Sequence, residues 1–207
     1  MLISLNIVVY LFSTFYASDI FDIDIETLVL EGALYTPYMI QDSQWWRLIT
    51  SMFLHGGITH IAMNMFSLYV VGRATQMYFD LKSYISIYIF SGLVGGLTSM
   101  TMHPHGIGVG ASGAIFGLFG ALAGFFLAHR KQIGSHSIAF MKEFAIIIGI
   151  NLAIGLAIPS VDLSAHISGL IVGVFGGFFI SKNPKLFLFY WSFMILFIVL
   201  WISYLSY

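Results

Sequence analysis

A serine and a histidine occur where a membrane protein has no structural need for them. Ser112 follows Gly110 and precedes Gly113, and both Ser112 and His166 stand near the start of a long apolar run. A serine hydroxyl becomes a nucleophile when a base can take its proton, and an imidazole is such a base. Because a buried histidine is costly in lipid, its presence favours a functional role. The pair therefore indicates peptide-bond hydrolysis inside a membrane.

The composition places the chain in a lipid bilayer. Of its 207 residues, 59% are hydrophobic and 8% are charged, and the mean hydropathy is +0.94. Soluble domains carry roughly a quarter charged residues, so this chain lacks a soluble surface. A net charge of -1 argues against nucleic acid as a partner, and a chain without cysteine has no disulfide or thiolate chemistry. We expect an all-α integral membrane protein.

Seven apolar runs are long enough to cross a bilayer, for which about 20 residues in a helix suffice. The predicted spans, one to seven, are 2–18, 58–79, 84–102, 111–129, 137–157, 163–181 and 186–205. We expect one membrane domain over 1–207, with a core over 1–181 and an additional C-terminal span. Span one lacks a preceding basic segment, so an uncleaved anchor is favoured over a signal peptide.

Basic residues predict the orientation, because they accumulate in connections on the inner side of a membrane. The connections after spans two, four and six, together with the span ends that flank them, hold Arg73, Lys82, Arg130, Lys131, Lys142, Lys182 and Lys185. The other connections hold only Arg47. The N-terminus is therefore expected inside, and the long first connection, about residues 19–57, is expected outside.

Spans two, four and six all run from outside to inside and carry polar residues near their outer ends. These residues are His60 and Asn64, Ser112, and His166. Ser112 precedes Arg130 by 18 residues and His166 precedes Lys182 by 16, or about 27 and 24 Å along a helix. The serine and the histidine are thus predicted at a similar depth, in a site that opens outward.

Glycines line the two spans that carry this pair. Span four has Gly113 and Gly117 after Gly110, and span six has Gly169 and Gly173 at an interval of four. Small residues at such intervals let helix backbones approach closely. We expect these glycines to bring the serine and the histidine together.

These motifs resemble the signature of the rhomboid family of intramembrane serine proteases. The matching motifs are Gly110-Ala-Ser112-Gly113, Ala165-His166 followed by Gly169 and Gly173, His60-x-x-x-Asn64, and Trp45-Trp46-Arg47 in the first connection. The resemblance covers about residues 1–181. It implies a six-helix core with the seventh span as an addition, and a serine endopeptidase that acts on transmembrane proteins without a cofactor or a metal.

The resemblance also implies a role for each site residue. Ser112 would be the nucleophile and His166 the base of a dyad, while Asn64, His60 and the Ser112 N–H would stabilise the oxyanion. Phe116 stands where relatives often have a tyrosine stacked on the catalytic histidine.

Simpler interpretations remain for several of these residues. An isolated membrane serine such as Ser112 often bonds a carbonyl of its own helix. Asp162, one turn before His166, is the candidate third member of a triad, but its position favours an N-cap. His103 and His105 have no acid or cysteine beside them, which disfavours a metal site.

Other functions are less well supported by the sequence. A membrane metalloprotease would need a His-Glu-x-x-His motif and an aspartyl protease would need paired membrane aspartates, and neither is present. No inverted repeat supports a transporter. A non-catalytic rhomboid relative that binds membrane clients is the main alternative. A small chain of this kind suits a prokaryotic plasma membrane.

Overall fold

The computed structural model describes residues 1–157 and 161–206, and their side chains except those of 135–137, 139 and 140. In this part of the chain the elements are α1 (Leu2–Ala17), α2 (Ile25–Glu31), β1 (Leu34–Tyr35), α3 (Thr36–Gln41), α4 (Arg47–Thr50), α5 (Ile58–Gln76), α6 (Leu81–Met102), β2 (Ile107–Gly108), α7 (Ser112–Ile133), α8 (Ser135–Ala157), α9 (Leu163–Lys182) and α10 (Leu186–Leu205). Each predicted span coincides with one long helix to within a few residues. The all-α bundle is therefore confirmed. The single domain over 1–207 stays a prediction, and residues 158–160 and 207 lie outside the described part.

The outside of the bundle is suited to lipid. Helices α6, α7, α9 and α10 are long and apolar enough to cross a membrane by length and composition, and α1 is a shorter apolar helix. Large apolar side chains face outward, among them Phe15, Phe66 and Leu188. A soluble protein keeps most such side chains inside. The chain is therefore an integral multi-pass membrane protein.

Three aspartates begin helices as N-caps. Asp24 precedes α2, Asp80 precedes α6 and Asp162 precedes α9, and each carboxylate accepts hydrogen bonds from backbone N–H groups of the first turn at 2.8 to 3.1 Å. Such caps satisfy donors that the helix itself leaves unpaired. The predicted N-cap role of Asp162 is confirmed.

Helices α7 and α9 meet backbone to backbone through Gly113, Gly117, Gly169 and Gly173, which we call the glycine contact. A Cβ added to Gly169 would overlap the carbonyl oxygen of Gly113, and one added to Gly173 would overlap that of Gly117. The offset in residue number is the same in both pairs, so the two helices run in the same direction. Any side chain at Gly169 or Gly173 would force them apart.

The first connection is folded rather than extended. The Arg47 side chain is buried, and its Nη1 donates to the carbonyl oxygens of Val29 and Ala33 at 2.8 and 2.9 Å. Strand β1 of this connection pairs antiparallel with β2, with Leu34 opposite Gly108. Since β2 leads directly into α7, the connection is tied to the segment that precedes Ser112.

Candidate active site

Ser112 is the first residue of α7 and is half-buried. Two residues earlier, Gly110 has a φ of 121°, and its N–H donates to the Ser51 carbonyl at 2.9 Å. A positive φ of this kind favours glycine, because other residues would be strained there. The turn into α7 is thus fixed between the first connection and the helix.

The Ser112 hydroxyl makes no hydrogen bond within the described residues. Other hydroxyl groups of the long helices donate to the carbonyl four residues earlier, namely those of Thr75, Thr98, Thr101 and Ser168. Ser112 differs because it begins its helix, so the carbonyl four residues earlier belongs to β2. The simple structural interpretation, a hydrogen bond to a carbonyl of its own helix, therefore does not describe Ser112.

His166 lies in the first turn of α9, is 7% exposed, and stacks on Phe116. The ring centroids are 4.3 Å apart and the ring planes differ by 9°. Phe116 follows Ser112 by one turn, on the same face of α7. The stack therefore holds the imidazole against the face of α7 that begins with Ser112. This is the arrangement of ring and histidine that the sequence predicted.

The structure shows no bond between the serine and the histidine among the described residues. Among the described residues no hydrogen bond joins Ser112 to His166, and the buried Nδ1 of the imidazole has no partner. Catalytic hydrogen bonds are often long in a free enzyme and shorten when substrate binds. The lack of a hydrogen bond between Ser112 and His166 is therefore no argument against a catalytic pair.

His60 and Asn64 come from α5 and face the turn before Ser112. A Cβ added to Gly110 would lie 2.8 Å from His60 Nε2 and 3.7 Å from Asn64 Nδ2. The buried Asn64 amide donates to the His60 carbonyl at 3.2 Å. Since an NH₂ group has two hydrogens, one donor remains for a ligand at this turn.

His55 packs against His60, a contact that the sequence did not predict. It is fully buried, and its ring lies edge-on to that of His60 with centroids 5.1 Å apart. Its Nδ1 lies 3.2 Å from the Phe53 carbonyl oxygen, and its Nε2 has no partner in the described structure. Burial lowers the pKa of His55 to about 3, so the ring is neutral. No periodicity signals this contact, because His55 precedes α5.

Asp162 caps α9 and makes its side-chain contacts away from the imidazole of His166. Its Oδ1 accepts the hydrogen bonds of Ser164 and Ala165, and His103 Nε2 lies 3.8 Å from the same oxygen. None of these contacts involves the His166 ring. Among the described residues, no group of three or more potential metal ligands includes His103 or His105.

A family model for the Rhomboid domain matches residues 42–183, a segment that contains every site residue described above. The chain belongs to the rhomboid family. This rhomboid membership accounts for the order of the motifs and for the helices that carry them. Helices α1, α2, α3 and α10 lie outside the matched segment.

The rhomboid relatives come from a plant and a bacterium. RHOMBOID-like protein 6, mitochondrial, of Arabidopsis thaliana is 41% identical over 77% of this chain and 51% of its own length. Rhomboid protease GluP of Bacillus subtilis (strain 168) is 40% identical over 74% of this chain and 29% of its own length. Putative rhomboid protease YdcA of the same bacterium is 33% identical over 69% of this chain and 68% of its own length. The chain thus spans about half or less of the first two relatives.

Proposed function

We propose that this rhomboid protein is an intramembrane serine endopeptidase that cleaves membrane proteins in or near their transmembrane segments. One observation carries the proposal. Ser112, whose hydroxyl has no hydrogen-bond partner among the described residues, begins α7 beside the buried imidazole of His166. This imidazole stacks on Phe116, one turn after Ser112 in α7. Relatives named as rhomboid proteases support the same conclusion.

The chemistry uses the dyad and water. His166 accepts the proton of Ser112 Oγ as this oxygen attacks the scissile carbonyl carbon. The tetrahedral intermediate collapses, the leaving amine takes the proton from His166, and an ester forms on Ser112. Water then attacks the ester and gives a proton to His166, which returns it to Ser112 as the acid product leaves.

The oxyanion is stabilised from the turn before α7. The Ser112 N–H belongs to the first turn of the helix, where N–H groups have no partner within the helix. Asn64 supplies an amide donor, and His60 Nε2 faces the same turn beside Gly110. These groups stabilise the charge that develops on the carbonyl oxygen, which is the role of oxyanion donors in acyl transfer.

The membrane setting follows the distribution of basic residues. The N-terminus lies inside, and the site opens outward, where water reaches it. A transmembrane substrate enters laterally between helices and is cleaved where small or helix-breaking residues weaken its helix. A prokaryotic plasma membrane is the proposed location.

The first test compares two serine variants. Purified wild type, Ser112→Ala and Ser168→Ala would be incubated in liposomes with a model single-span substrate. Ser168 is the matched control, because it lies in α9 and donates to the Ser164 carbonyl at 2.8 Å. We expect cleavage by wild type and Ser168→Ala but not by Ser112→Ala. Equal cleavage by Ser112→Ala would end the proposal.

A labelling experiment separates the protease from a non-catalytic rhomboid that binds membrane clients. A fluorophosphonate probe reacts with an activated serine, so wild type should be labelled and Ser112→Ala should not. Labelling without cleavage would indicate an unsuitable substrate. The absence of both would favour the non-catalytic alternative.

A further inference from the structure

Helices α7 and α9 end together at the side of the bundle opposite the candidate active site. Because the glycine contact makes them parallel, their C-terminal turns are neighbours. Arg130 and Lys131 of α7 and Lys182 of α9 line one open pocket there, with a volume of about 490 Å³. The 18 residues from Ser112 to Arg130 span about 27 Å, which is close to the thickness of a bilayer core.

The three cations of this basic pocket are not neutralised by the protein. In the described part of the chain, none of them pairs with a carboxylate. The two helix C-termini offset only part of their charge, since each corresponds to about half a negative charge. The pocket therefore keeps an excess of positive charge at a membrane boundary.

Apart from Gln132, the other residues that line the basic pocket are apolar. Leu127 and Phe178 line it, and Lys182 Nζ lies 5.3 Å from the centre of the Phe178 ring. A surface with cations beside apolar side chains fits an anion that carries an apolar chain better than a free inorganic anion. The tendency of basic residues to lie on the inner side of a membrane would explain each of the three cations separately. It does not require that all three line one pocket.

We propose that the basic pocket binds the phosphate of an anionic phospholipid, with the acyl chains against Leu127 and Phe178. Basic pockets between membrane helices are suited to such headgroups. The site is about a membrane thickness from Ser112, and lipid binding can be measured without any assay of proteolysis.

Native mass spectrometry of the purified full chain tests this site. Phosphatidylglycerol and phosphatidylcholine with the same acyl chains would be titrated onto three proteins: wild type, the pocket variant Arg130→Gln/Lys182→Gln, and the control Lys82→Gln/Lys142→Gln. The control loses the same charge outside the pocket. We expect wild type and control to prefer phosphatidylglycerol, and the pocket variant to bind it roughly 10- to 30-fold more weakly, since each nearby cation contributes about 1 kcal/mol.

Two further measurements complete the test. The charge-preserving variant Arg130→Lys/Lys182→Arg should retain phosphatidylglycerol binding, which separates lost charge from lost folding. Inorganic phosphate added at the same concentration as the lipid should not displace it, because it lacks acyl chains. Equal affinities of the pocket variant and the control, equal affinities for the two lipids, or displacement by inorganic phosphate would each overturn the proposal.

Discussion

At the scale of single residues, two membrane asparagines make the same local bond in different surroundings. Asn64 in α5 and Asn151 in α8 both donate to the carbonyl four residues earlier, at 3.2 and 2.8 Å. Only Asn64 faces the turn at Gly110, where the proposed oxyanion would form. Its position, rather than its bonding within the helix, distinguishes it.

We therefore predict that Asn64→Ala lowers kcat and Asn151→Ala does not. Loss of one oxyanion donor reduces kcat by about 100- to 1,000-fold in serine proteases, which is less than the complete loss expected for Ser112→Ala. Initial rates at saturating substrate would measure the difference. Equal effects of the two alanine variants would argue against an oxyanion role for Asn64.

The second prediction at the residue scale concerns the ring of Phe116. Phe116→Leu removes the stack on His166, whereas Phe116→Tyr keeps a ring at the same place. Aromatic pairs contribute about 0.5–1.5 kcal/mol beyond the area that they bury, so kcat should fall roughly three- to tenfold in the leucine variant only. Cleavage rates would be compared in protein of matched thermal stability. An unchanged rate in Phe116→Leu would show that the stack does not position the imidazole.

At the scale of elements, the glycine contact determines how near α9 lies to α7. Each of its four glycines lies where a side chain would meet the backbone or a side chain of a neighbouring helix. Close approach then allows extensive dispersion contact between the helices, which replaces the hydrophobic driving force that lipid does not supply. Ser112 and His166 stand at the N-terminal end of this contact.

Gly169→Ala should therefore both destabilise the protein and impair cleavage. The added methyl group would overlap the Gly113 carbonyl oxygen next to Ser112, and overpacking of this kind costs about 1–3 kcal/mol. Gly149→Ala in α8 is the control, since a Cβ there meets nothing within 4 Å. Thermal unfolding midpoints and cleavage rates would be measured for both. A Gly169→Ala protein as stable and active as Gly149→Ala would contradict the observed backbone contact.

At the scale of the whole molecule, the half-buried side chain of Glu31 joins the first helix to the first connection. Ser13 of α1 donates to Glu31 Oε2 at 2.5 Å, and Glu31 Oε1 is buried without a partner in the described residues. Burial raises the pKa of Glu31, despite the opposing effect of the hydrogen bond from Ser13. Burial in the folded protein therefore favours the protonated form of Glu31.

This raised pKa predicts how stability changes with pH. The contribution of Glu31 is fully present below its unfolded pKa, about 4.3, and is lost as pH rises through its higher folded pKa. Glu31→Gln cannot ionise and keeps an oxygen that can accept from Ser13. The difference in free energy of unfolding between Glu31→Gln and wild type should therefore grow in favour of the variant as pH rises from the unfolded pKa through the folded pKa of Glu31. Denaturant titrations at several pH values would compare it with Glu26→Gln, an exposed control. A constant difference between wild type and Glu31→Gln would exclude this linkage.

The sequence by itself determined the properties that depend on short segments. Apolar runs located the seven long helices, because transfer to lipid and internal hydrogen bonding depend on each run alone. Asp162 was recognised as an N-cap for the same local reason. The motifs around Ser112 and His166 indicated the family, and the interval of four between glycines indicated which faces approach.

Only the tertiary structure decided which distant groups meet. The approach of His60 to Gly110, the pairing of β1 with β2 and the register of the glycine contact each join segments that lie apart in the chain. The same register brings Arg130 and Lys182 into one pocket at the C-terminal ends of α7 and α9. Periodicity shows which side of a helix is small or polar, but it carries no information on how far a neighbouring helix is shifted along it. That shift results from packing summed over the whole interface.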